Sequence, residues 1–257
     1  MNYLTFEIFK ISSRKWMIIL LLANIVLLPL IVAILVKLEF SSGEISEGNF
    51  LENAAYGIIS ISTIYFFVPL WILIFIGIEF SNGHTNLVVF HKSFKFYFIS
   101  KIAYCFLVSL FYCILGLFSL LIIHLTAPFK LEASTVFYMS FITQSFFTFF
   151  SISLMLMALV FLVGSPIIAF VSYFVISFTE SILFLIGKKI YAFDLFFLPF
   201  HISRLLYLKN GEGKSENYYV LFYDYHNQIL ILPVFLLIIL YATYWYFIRR
   251  DLKPLSD

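Results

Sequence analysis

From Ala133 to Ile186 the chain carries one charged side chain, Glu180. About 20 apolar residues suffice to cross the hydrocarbon core of a bilayer, so this run is long enough for two crossings. Gly164, Ser165 and Pro166 supply the turn between them. In water a segment of this kind would have to be buried on every side, whereas in lipid its own helical hydrogen bonds satisfy the backbone. Composition agrees with lipid as the solvent. The chain is 63% hydrophobic and only 12% charged, against about 25% charged in ordinary soluble domains, and mean hydropathy is +1.03.

Read for apolar stretches separated by polar clusters, the 257 residues form one all-α membrane domain, 1–257, with six transmembrane helices at about 16–38, 54–78, 102–126, 135–163, 166–186 and 229–248. The first stretch follows Lys10, Arg14 and Lys15, like the start of a signal peptide, but it is too long and lacks a small-residue cleavage site. It reads as a retained anchor. Ahead of it, residues 1–15 space Tyr3, Phe6 and Phe9 with Glu7 and Lys10 as an interfacial amphipathic helix would.

Orientation follows from Lys and Arg in the short connections. A cytoplasmic N-terminus places Lys10, Arg14, Lys15, Lys92, Lys95, Lys101, Arg249, Arg250 and Lys253 inside, with Tyr241, Tyr244, Trp245 and Tyr246 as an inner aromatic belt. The acidic loop bearing Glu39, Glu44, Glu47 and Glu52 then lies outside, as does the long loop 187–228. Both termini are cytoplasmic in this reading. A net charge of +2 without basic runs gives no footing for nucleic acid.

Catalytic constellations are missing from the sequence: it has no HExxH, no GxSxG and no His/Cys cluster at ligand spacing. Cys105 and Cys113 sit within one apolar stretch and read as small buried hydrophobes. Gly211, Glu212, Gly213, Lys214 and Ser215 imitate the end of a phosphate-binding loop, but Leu208 stands where its first Gly belongs. The chain is therefore expected to be non-catalytic, with no catalytic residue, metal or cofactor of its own. Four polar residues fall within the expected spans: Asn24, His124, Gln144 and Glu180. Polar groups at membrane depth mark function or bond helices together; His124 and Glu180 fall near outer ends, where headgroup-level placement accounts for them.

The stretch after the second span is distinctive: Glu79, Gly83, Thr85 and Leu87, then Ser93, then Lys101 opening the third span. In this order it resembles the type-2 ATP-binding-cassette (ABC) exporter permeases, with His84 inserted between the Gly and Thr and Phe94 in place of an Arg. Six spans, an amphipathic start, a long fifth-to-sixth outer loop and an Arg-Arg-Asp-Leu ending extend the resemblance along the chain.

The resemblance implies that 79–101 is a cytoplasmic coupling loop whose short helix seats in a groove of a separate ATPase subunit. Thr85 would cap it, Leu87, Val88 and Phe90 would bury an apolar face, and Lys92 and Lys95 would meet acidic groups. It also implies re-entrant or interfacial helices in the outer loop, with Phe193, Phe196, Phe197, Pro199 and Phe200 narrowing an outer gate. The expected partners are two copies of an ABC ATPase holding ATP and Mg, and a second permease subunit, in a bacterial cytoplasmic (inner) membrane. The cargo expected is amphipathic or hydrophobic: a peptide, a lipid or a lipid-linked molecule. A membrane-embedded enzyme, a protease or lipid-modifying protein, and an ATP-independent carrier or assembly scaffold are the rival readings.

Overall fold

The computed structural model describes residues 15–41, 50–64, 67–81, 94–127, 135–175 and 238–246. These residues are almost entirely helical, with no strand among them. The helices are α1 (Lys15–Ser41), α2 (Phe50–Ile64), α3 (Phe67–Ser81), α4 (Phe94–Thr126), α5 (Thr135–Val163), α6 (Pro166–Val175) and α7 (238–246). Two of them, Lys95–Thr126 and Phe137–Val163, are long and apolar enough to cross a membrane.

α4 is the axis of the bundle. Its 33 residues span about 50 Å at the helical rise, and α1, α2, α3 and α5 all pack on it. It runs antiparallel to α5, since Cys105 meets Ser153 and Met157 near one end while His124 meets Tyr138 at the other. The seam between them is built from small side chains. Cys105, Ser109 and Cys113 recur every fourth residue, which puts them on one face of α4, opposite Ser145 and Ser153 of α5. Small residues let two helix backbones approach closely where dispersion, not exclusion of water, holds them. The hydroxyls and thiols bond within their own helix or across the seam: Ser109 donates to the Cys105 carbonyl at 2.7 Å, and Cys113 to the Ile142 carbonyl of α5 at 3.4 Å.

The expected second span, 54–78, is covered by α2 and α3, described on either side of residues 65–66. The expected third span, 102–126, starts later than the helix that holds it, because α4 begins two turns earlier, at Phe94. Lys101 was read as the charge that opens a span, the usual meaning of a Lys beside an apolar run. The helix continues through it because Tyr97, Phe98 and Lys101 itself are buried. The connection between α3 and α4 is correspondingly narrower than 79–101.

α5 ends at Val163 with Gly164 in the left-handed region (φ 74°), its N–H donating to the Val160 carbonyl at 2.9 Å. Only Gly adopts that conformation without a Cβ penalty. Ser165 then caps α6, whose first residue is Pro166, where a fixed φ and an absent donor are advantages. This corner closes onto α3: a Cβ at Gly77 would collide with the Pro166 ring, so the absence of a side chain there admits α6. Gly77, Pro166, Phe161, the start of α4 and Tyr244 of α7 thus gather at one end of the bundle.

Outward-facing positions are apolar as well. On α1, Asn24, Leu28 and Val32 are buried at four-residue spacing, while Ile19, Leu22, Val26 and Leu30 on the remaining face are exposed. A helix apolar all round suits a surface that does not meet water.

Candidate functional site

At the end where these elements converge, α3 contributes Glu79 in its last turn and α4 contributes Lys101, two turns in. Because the helices run antiparallel, residues from their adjacent ends fall at the same height. Lys101 Nζ lies 2.6 Å from Glu79 Oε2, with the side chains 0% and 2% exposed. Removing two such charges from water costs several kcal/mol each, so the geometry around them must recover that cost.

Part of the recovery is aromatic. The Lys101 ammonium sits over the rings of Phe75 at 5.0 Å, Tyr97 at 5.2 Å and Tyr104 at 6.0 Å, within range for attraction to a ring quadrupole. Helical spacing supplies the cage, since Phe75 precedes Glu79 by one turn while Tyr97 and Tyr104 flank Lys101 by one turn on either side. The rings are fixed in turn. Tyr104 stacks on Phe75 (4.2 Å, 14°) and donates its hydroxyl to the Trp71 carbonyl at 3.3 Å. Tyr97 and Phe98 pack on Phe161 of α5, and Phe98 on Tyr244 of α7.

This arrangement joins two helix ends through an ion pair and an aromatic cage. It holds the end of α3 against the start of α4, so the intervening connection leaves and re-enters the bundle at one tied point. Sequence reasoning singled out Glu79 and Lys101 as parts of a partner-facing loop; the structure buries both and joins them to each other. The cage residues Phe75, Tyr97 and Tyr104 were missed. Opposite charges at the facing ends of two consecutive apolar helices, each with an aromatic one turn away, were the signal for them.

The other expected site residues are distributed as follows. Lys95 is exposed in the first turn of α4. Gly83, Thr85, Leu87, Val88, Phe90, Lys92 and Ser93 of the expected coupling segment lie outside the described residues, as do Glu180 and the expected gate residues Phe193, Phe196, Phe197, Pro199 and Phe200. Gln144 belongs to α5, with its side chain outside the description. His124 pairs through Nδ1 with the Tyr138 hydroxyl at 2.5 Å, bracing the far end of the α4/α5 hairpin.

Asn24 is buried and its Oδ1 accepts a hydrogen bond from Tyr112 at 3.1 Å, tying α1 to α4. Of the two roles open to Asn24, helix-bonding polar group and functional site, the geometry carries the first. Tyr112→Phe is expected to cost about 0.6 kcal/mol, and at most ~1.7, the range for side-chain hydrogen bonds between membrane helices. Unfolding of the purified chain in bicelles measures it; a loss above about 3 kcal/mol would show that Tyr112 does more than bond to Asn24.

Comparison of this chain with protein-family models, with curated proteins and with solved structures returns no match.

Proposed function

We propose that the chain is the transmembrane permease subunit of an ABC exporter: six spans, both termini cytoplasmic, in a bacterial cytoplasmic membrane, paired with a second permease and two ATPase subunits. It moves an amphipathic or hydrophobic substrate outward, and the chemistry of ATP hydrolysis takes place in the partner. The motif order Glu79, Gly83, Thr85, Leu87, Ser93, Lys101 suggests this reading, and one structural observation supports it most. The Glu79–Lys101 pair ties together the two ends of the connection that would meet the ATPase. A push on that connection would therefore act on α3 and α4 at once, and through α4 on every helix packed against it. Transport needs two states that differ in access, and in this reading the connection is where the ATPase biases them.

Four consecutive apolar residues, Leu87 to Phe90, in a cytoplasmic connection require a surface that covers them, and an ATPase groove supplies one. Single-cysteine labelling from outside intact cells tests the arrangement. The native Cys105 and Cys113 are buried and give a quiet background. Ser42→Cys and Ser215→Cys should react with an impermeant thiol reagent, while Ser93→Cys should react only after the cells are opened. Reaction of Ser93→Cys from outside would reverse the orientation and remove the coupling role.

A further inference from the structure

We propose that the Glu79–Lys101 pair is a poised latch, a joint that holds the first two turns of α4 against α3 weakly enough for them to part. The case rests on what burying a charge pair yields. A buried ion pair recovers its desolvation cost only partly, and apolar side chains of similar volume in its place are often neutral or more stabilising. A joint meant only to cement α3 to α4 would hold better with Met or Leu at both positions. Here the charges are retained in a region otherwise built from aromatic and aliphatic side chains, Phe75, Tyr97, Tyr104 and Phe161.

Position makes the weakness usable. Glu79 lies in the last turn of α3 and Lys101 two turns from the start of α4, beside the exposed Lys95. When those turns separate, both charged ends need to travel only a turn or two to water, and the flexible Lys stem lets its ammonium reach there first. Each regains hydration on opening, which offsets the lost ion pair and ring contacts. An apolar pair would gain nothing from the same motion. The closed arrangement is thus specific in geometry and close to balance in energy, as a switching element must be.

The test uses the full chain in lipid nanodiscs and does not depend on any partner. Backbone hydrogen exchange is followed at residues 97–104 and, as an internal control, at 118–126. The double variant Glu79→Met/Lys101→Met should exchange more slowly than the native chain at 97–104 by roughly tenfold, toward the lower end of the stabilisation seen on apolar replacement of buried ion pairs, and should match it at 118–126. The charge-swapped Glu79→Lys/Lys101→Glu keeps an ion pair but sets a carboxylate against the ring faces of Phe75, Tyr97 and Tyr104, and should exchange faster than the native chain at 97–104 while matching it at 118–126. Unchanged or faster exchange at 97–104 in the double Met variant would overturn the latch. So would faster exchange at both segments, which would make the pair structural cement.

Discussion

Lys101→Met alone should lower the stability of the folded chain by about 3–5 kcal/mol, because it removes the ammonium that lies against the buried Glu79 carboxylate. The remaining surroundings make matters worse, since the faces of Phe75, Tyr97 and Tyr104 that attract a cation repel an anion. Adding Glu79→Met to that variant should restore the whole loss and stabilise the chain slightly beyond the native level, so the two changes are strongly non-additive, as expected of side chains in contact. Unfolding in mixed micelles measures both variants against the native chain. A loss below about 1 kcal/mol for Lys101→Met, the value of a surface ion pair, would show that the pair is in contact with water and that the cage does not isolate it.

The second large effect is expected in the connection between α3 and α4. Replacing Leu87, Val88 and Phe90 together by Ser removes the apolar face on which the proposed docking depends. Buried aromatic anchors at interfaces contribute about 2 kcal/mol or more each, so binding to an ATPase subunit should weaken at least ~30-fold, by the same arithmetic of about 1.4 kcal/mol per tenfold. Insertion and folding should be unaffected, because the bundle core is made by α1 to α6. Pull-down with a tagged variant, alongside the native chain at equal expression, reads the difference. Equal recovery of partner from both would remove docking from these residues.

The all-α character of the chain was open to reading from the sequence because membrane-length apolar runs leave few alternatives. The break at Gly164, Ser165 and Pro166 was legible for a local reason: a left-handed Gly, a capping Ser and a Pro at the first helical position each have one physical use, and here they occur in order. Asn24 as a helix-bonding residue was one of two open roles, but its partner was not named, since Tyr112 lies far along the chain and only the crossing of α1 and α4 brings them together.

The ion pair was hidden for a different reason. Lys beside an apolar run ordinarily marks the membrane surface, and Lys101 departs from that rule where Glu79 and three rings compensate it. That compensation depends on two antiparallel helices meeting at one height, information that no single helix contains.

Purification of the native chain from membranes in mild detergent, with identification of what accompanies it, bears on the central claim most directly. The account predicts an ATPase subunit in equal number to the permease chains, lost when Leu87, Val88 and Phe90 are replaced. Recovery of this chain alone, fully active without any ATPase, would contradict it.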